Sequence, residues 1–266
     1  MSTTRGEPAD GAGPDGAAPI PEGSAEAVPE PPAAATAVFG DRLHLAERYV
    51  ALLAGPGQEQ GVIGPRELPR LWDRHVLNSA AVGEVLPLEA TVVDVGSGAG
   101  LPGIPLALAR PDLVITLLEP MARRVAWLEQ VVGELELPVT VVRGRAEERE
   151  ARRRCGESDV VTARAVAPMG RLTTWTLPLV RPGGTLAAMK GASAAGEVER
   201  DLKEIRAAGG EDPRVVRCGV GDAATTVVLV SRSERRGPSP GSGRRARGRK
   251  DRARDRSTDV RPHRST

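Results

Sequence analysis

Val92-Val93-Asp94-Val95-Gly96-Ser97-Gly98-Ala99-Gly100-Leu101 runs from β-branched residues into glycines at every second position. The first half reads as a strand buried on both faces, because it is nearly continuous in apolar residues. Glycine lacks a Cβ, so the turn that follows can be tight and its backbone can approach a ligand closely. In an open parallel sheet, ligands sit beyond the carboxyl ends of the strands, near the point where strand order reverses. A glycine turn after a first strand is therefore the expected place for a cofactor, with Asp94, Gly96, Gly98, Gly100 and Leu101 as its residues. The spacing is G-x-G-x-G, and Pro102-Gly103 follow. A dinucleotide site needs its third glycine one residue later, at a helix start under a pyrophosphate. The proline-bearing entry suits a nucleoside cofactor without phosphate. S-Adenosylmethionine, a nucleoside with a cationic amino-acid arm, is such a cofactor.

Outward from this loop, the next apolar run, 114–118, ends at Glu119. An acid roughly 20 residues after the glycines can accept hydrogen bonds from ribose hydroxyls. Glu119 thus specifies a nucleoside without saying which one. Further strand-like runs lie at 139–142, 160–163 and 185–189, alternating with helical stretches at 104–109, 122–135, 169–177 and 194–208. Two last strands, 214–218 and 225–230, are too close together for a parallel crossover and suit an antiparallel pair. The pattern predicts an α/β fold: a doubly wound, mostly parallel Rossmann-like sheet with an antiparallel edge strand. Upstream, Phe39, Leu43, Ala46, Val50 and Leu53 recur at helical spacing, and Gly55-Pro56-Gly57 reads as the stop of that helix. Residues 65–86 read as helical again. The expected organisation is a small helical subdomain over 38–90 and a cofactor-binding sheet domain over 91–231.

The two ends differ in kind. Residues 1–37 are rich in Pro, Ala, Gly and Glu and carry a net charge of −5, whereas residues 232–266 carry +9, leaving −2 for the body. Neither end has an apolar period, so both are expected to be disordered tails. The clustered Arg, Gly and Ser of 244–256 have the composition of an arm that binds nucleic-acid phosphate without sequence preference. Aromatic residues are 2% of the chain, which argues against a stacking platform for single-stranded nucleic acid. Cys155 and Cys218 and the three histidines have no metal-ligand spacing, so no metal is expected. No apolar run spans a bilayer and no signal segment opens the chain, which predicts a cytoplasmic protein with no membrane partner.

The stretch from Asp94 to Leu106, and above all its Gly-Leu-Pro-Gly-Ile-Pro portion, resembles the loop of the small-subunit (16S) ribosomal RNA guanine-N7 methyltransferases, the glucose-inhibited division protein B family. Three further elements match in order. Arg74-His75-Val76-Leu77-Asn78-Ser79 is similar to the family's Arg-His-Ile-Leu-Asp-Ser, Ala163-Arg164-Ala165 to its Ser-Arg-Ala, and Met189-Lys190-Gly191 to its Lys-Gly. The resemblance covers about residues 39–231. There are two departures: Asn78 stands where the family has Asp, and glycine-rich sequence over 55–64 replaces a Tyr-Asn-Leu-Thr stretch.

The resemblance implies S-adenosyl-L-methionine as cofactor and a guanine N7 in the decoding-region loop as target, presented on small-subunit RNA or a 30S-type particle. It implies that Gly96 and Leu101 line the cofactor, that Glu119 holds the ribose and that Ala146-Glu147 frame the adenine. Arg164 would lie between cofactor and RNA. Arg74, His75 and Lys190 would contact phosphate or guanine, with Arg164, His75 and Lys190 forming the catalytic set. Two other readings use the same residues: a methyltransferase acting on another RNA or a protein, and a non-catalytic RNA-binding assembly factor. Guanine N7 carries an in-plane lone pair, so its methylation requires no base; the rate must come from alignment and a preorganised polar site.

Overall fold

The computed structural model describes residues 28–164 and 166–234. Seven strands form one sheet: β1 (Thr91–Val95), β2 (Val114–Glu119), β3 (Thr140–Arg143), β4 (Ser158–Arg164), β5 (Val180–Lys190), β6 (Gly210–Cys218) and β7 (Thr225–Arg232). Their order is β3-β2-β1-β4-β5-β7-β6. The first five are parallel, and β7 runs antiparallel to both β5 and β6. The order reverses between β1 and β4, so their carboxyl ends open the crevice where a ligand belongs.

Eight helices accompany the strands among the described residues: α1 (Ala33–Phe39), α2 (Leu43–Leu52), the single turn α3 (Asn78–Ala80), α4 (Gly103–Ala109), α5 (Ala122–Glu134), α6 (Arg149–Cys155), α7 (Met169–Thr176) and α8 (Ala194–Ala207). The sheet carries a core on each face. One packs α6, α7 and α8 against Val93, Val161 and Val228. The other packs α4 and α5 against Val92, Ile115 and Val160, and takes in Ala35, Tyr49, Leu71 and Val76 from the amino-terminal helices. Those helices therefore share the sheet's core and have none of their own.

Several expectations need correction. The first tail does not extend to Ala37: α1 begins at Ala33, and Trp72 Nε1 donates to Pro29 O at 2.9 Å. Ala35 and Phe39, one helical turn apart, are buried, and that burial offsets the entropy of ordering this turn. Residues 1–27 and 235–266, including the arginine-rich arm, lie outside the described residues.

Gly55-Pro56-Gly57 does not stop the helix that carries α2. The chain widens into a π-type turn over Leu53–Gly57 and resumes helix through Glu59. Pro56 offers no N–H to the ladder, and an inserted residue accommodates the gap. The glycine at 57 lets that turn lie on Trp127, whose Cη2 would be 3.1 Å from an added Cβ. Residues 65–85 are helical as read from the sequence, but as successive 3₁₀ and π-type turns around α3, with Pro69 inside the first. In the sheet, β5 begins at Val180 and β6 at Gly210, each earlier than the apolar run that marks it. Helix α6 was not legible: its only buried residues are Ala151 and Cys155, amid arginines.

Candidate active site

The glycine turn leaves β1 at the switch point with Gly96, Gly98 and Gly100 all at positive φ. At Gly96 (φ +72°) an added Cβ would lie 3.0 Å from Val166 Cγ2, across the mouth of the crevice. Gly100 (φ +106°) answers a packing need instead. A Cβ there would stand 2.6 Å from Ile104 Cγ1 and 3.1 Å from the Tyr49 hydroxyl. Tyr49 and Trp127 Nε1 both donate to Ala99 O, each at 3.0 Å, and so fasten the turn from two elements. Burial pushes the Tyr49 hydroxyl well above its ordinary range, so it remains a donor.

Asp94, placed by sequence among the cofactor contacts, lies wholly beneath the loop. Its carboxylate accepts the Gly103 N–H at 3.1 Å and the Thr162 hydroxyl at 3.1 Å. It therefore ties the loop, α4 and β4 together rather than facing a ligand. Burial raises its pKa to about 6, and the hydrogen bonds it receives work against that rise. Leu101 is buried, as is Ala146, while Glu147 is exposed in the turn after β3.

Glu119 ends β2 and is buried against the loop. Its two oxygens accept the N–H groups of Gly98 and Met121, each at 3.0 Å. A carboxylate has about four lone-pair sites, so each oxygen retains capacity for a ribose hydroxyl. Glycines without Cβ at the crevice and an acid able to take a diol suit the nucleoside part of S-adenosylmethionine. Glu119→Ala is expected to weaken S-adenosylmethionine binding by about 2 kcal/mol, the usual size for hydrogen bonds to a charged group. Isothermal titration checks it, and an unchanged dissociation constant would return Glu119 to a purely structural role.

On the other side of the switch point lies a cavity of about 760 Å³ lined by Arg74, Asn78, Arg164, Lys190, Arg217 and Asp222, among others. Arg164, at the end of β4, is held by α3 and the segment before it. Its guanidinium donates to Ser79 Oγ at 3.0 Å, Arg74 O at 3.0 Å and His75 Nδ1 at 2.9 Å. Two of the motifs separated in sequence by more than 80 residues thus meet here. Arginine can only donate, so Nδ1 of His75 is an acceptor and Nε2 carries the ring proton, given to Glu67 Oε2 at 2.7 Å. Burial lowers the pKa of His75, and the hydrogen bond to Glu67 opposes that lowering.

Two of the residues expected at RNA have partners within the protein. His75 is 8% exposed, and its two ring nitrogens are engaged by Arg164 and Glu67, so within the protein it holds Arg164 in place. Lys190 gives its ammonium to Ala167 O at 2.6 Å and to Glu197 Oε2 at 3.0 Å. It fastens the chain after β4 to α8 instead of offering a free cation. Arg74 is exposed and lines the cavity. Sequence reading missed Tyr49, Glu67 and Ser79 as site residues. Ser79 sat inside the matched motif, whereas Tyr49 and Glu67 carry no local signal.

A sheet of this order, with a buried acid at the end of β2 beside a glycine turn at its switch point, is that of the class I S-adenosylmethionine-dependent methyltransferases, and the chain is one of them. Residues 42–226 match the family model for GidB, rRNA small subunit methyltransferase G. A relative from Mycolicibacterium smegmatis, named ribosomal RNA small subunit methyltransferase G, is 53% identical over 225 residues, covering 84% of this chain and 95% of its own. One of the same name from Corynebacterium jeikeium is 55% identical over 205 residues, covering 76% and 92%. The chain belongs to this family. Among the described residues no helix is long and apolar enough to cross a membrane. None of their His, Cys, Asp and Glu side chains form a group of three or more able to hold a metal ion.

Proposed function

We propose that the protein transfers the methyl group of S-adenosyl-L-methionine to N7 of a guanine in small-subunit ribosomal RNA, presented in a small-subunit particle in the cytoplasm. The observation that carries this reading is the convergence of the Arg74–Ser79 segment on Arg164 beside the crevice, which builds a polar cavity next to a nucleoside site. S-Adenosylmethionine supplies a methyl group already activated by a cationic sulfur. The chain's own residues then have three tasks. Glu119 and the glycine turn hold the nucleoside, with Leu101 and the Ala146-Glu147 turn beside it. Arg164 offers its remaining donors to the incoming base or its phosphate. Of its five N–H groups, three are spent on Ser79, Arg74 and His75, so the fork is fixed before substrate arrives. Arg74 and Arg217, exposed at the cavity, face RNA phosphate. No residue removes a proton, because N7 has none to lose.

Mass-spectrometric mapping of 7-methylguanosine in small-subunit RNA, with and without the protein, tests the reading. One added modification at a single guanine is expected, and its absence would overturn the assignment.

The last described strand leads away from this chemistry. Lys190 pairs with Thr226 at the cavity end of β5, whereas Thr185 pairs with Ser231 at the far end. Strand β7 therefore carries the chain to the opposite end of the strands, on the order of 20 Å from the cavity. Deleting residues 238–266 is expected to lower RNA affinity, most at low salt, and leave the methylated position unchanged. Each lost phosphate contact should flatten the plot of log affinity against log salt by about 0.7–0.9. Filter binding across a salt series measures this, and an unchanged slope would show that the segment makes no phosphate contact.

A further inference from the structure

The cavity beside the cofactor crevice is rich in cations, which poses a problem for its product. Methylation at N7 leaves the guanine ring positively charged, and Arg74, Arg164 and Arg217 all line the space it would occupy. Two carboxylates line the same cavity, Glu197 and Asp222. Glu197 is committed: Oε2 takes the Lys190 ammonium at 3.0 Å and Oε1 the Ser193 hydroxyl at 3.3 Å. Asp222 is exposed on the cavity side of the turn joining β6 and β7, and its side chain makes no hydrogen bond or ion pair with any described residue.

That turn is fixed in place. Asn78 Nδ2 donates to Ala224 O at 3.1 Å and to Ala223 O at 3.4 Å. The Gly219 N–H bridges both oxygens of Glu84, each at 3.1 Å. Gly219 (φ +76°) also lies so close to the helical segment that an added Cβ would be 3.0 Å from Ala81 Cβ. An ionised aspartate at 78 could not donate to these carbonyls, so the amide, which departs from the family's motif, is what anchors the turn. The same segment that aims Arg164 from one side of the cavity thus holds Asp222 on another.

Guanine's two faces match this pair. Its O6 and N7 accept hydrogen bonds, while N1–H and the 2-amino group form a row of two donors. A guanidinium suits O6, leaving the N7 lone pair to meet the methyl group, and a carboxylate suits the donor row. Adenine presents a lone pair at N1 and nothing at C2, so a carboxylate there would repel it.

We propose that Asp222 is the specificity-determining acceptor of this cavity, its carboxylate taking the N1–H and 2-amino donors of the target guanine and offsetting the charge its ring gains. The proposal rests on the guanine-N7 reading above. Once the bound base covers Asp222, an acceptor left without its donor penalises the wrong base more than a lost apolar contact does.

The test compares methyl transfer to small-subunit particles carrying guanosine or inosine, which lacks the 2-amino group, at the methylated position. Wild-type protein should act on inosine with kcat/KM lower on the order of tenfold. Asp222→Ala should lose activity on guanosine until the two substrates differ by no more than about twofold, and Asp222→Asn should fall between. A structural defect would lower both rates and leave their ratio alone, so the ratio reports recognition. Two results overturn the proposal: wild-type protein that treats inosine and guanosine alike, or Asp222→Ala that keeps the wild-type ratio. Wild-type protein that methylates neither particle overturns the N7 reading itself.

Discussion

Gly96→Asp protein is expected to remain folded and to lose S-adenosylmethionine binding, with the dissociation constant rising on the order of a hundredfold or more. Gly96 has φ +72°, a region that most side chains avoid but that aspartate tolerates at modest cost. The nearest obstacle to a Cβ is Val166 Cγ2 at 3.0 Å, the end of a side chain on a loop, so the neighbourhood can yield by a few tenths of an ångström. With about 1 kcal/mol of strain, the melting temperature should fall by about 2–4 °C. Binding faces a heavier cost. The new carboxylate would project across the crevice, beside a turn whose Gly98 N–H already serves Glu119. It would occupy ligand space and need to shed water without a partner. Isothermal titration and a thermal melt on the same sample check both halves. Binding as tight as wild type would put the cofactor somewhere other than this turn.

How much of this was legible in the sequence depends on the range of the signal. Strand β1, the glycine turn and Glu119 are local: apolar continuity, glycine spacing and an acid at a fixed distance state the backbone and the ligand class together. The antiparallel pairing of β6 and β7 followed from a connection too short for a crossover. The helical segment was harder to read. Pro56 and its flanking glycines read as a stop because a regular ladder cannot pass them, yet a π-type turn packed on Trp127 carries the helix through. Tertiary burial decided that outcome, and no window of local sequence contains Trp127.

The site shows the same division. Sequence identifies Asp94, His75 and Lys190 as polar residues in motifs but not which way each one faces. Asp94 turns under the loop to Gly103 and Thr162, and Lys190 turns to Ala167 and Glu197. Both serve the scaffold because a buried charge must be paired before it can do anything else. A motif's polar residues therefore include those that build the site as well as those that meet the substrate.

Arg164→Lys is expected to lower the single-turnover rate on small-subunit particles on the order of a hundredfold, with cofactor affinity changed little. The guanidinium reaches Ser79 Oγ, Arg74 O and His75 Nδ1 at once, at 3.0, 3.0 and 2.9 Å. A planar fork can span three acceptors set at different angles, whereas an ammonium is a compact point charge on a flexible stem. Lysine would keep the charge and satisfy some of these acceptors, but it has no donors left in fixed directions for a base or phosphate. His75 would also be freed. Its Nδ1 accepts only because Arg164 donates, and without that bond the imidazole can exchange tautomers and release Glu67. The pair of motifs would then stay in contact but lose its alignment, and misplacement of about an ångström is enough to cost two orders of magnitude. Glycine turn, Glu119 and Asp94 are untouched by the change, so S-adenosylmethionine should titrate as in wild type. A purely structural role for Arg164 predicts something different: a lower melting temperature, with the rate recovered on cooling. Single-turnover rates at two temperatures, set beside the melt, separate these outcomes, and a normal rate at either temperature would show that Arg164 does not position the reaction.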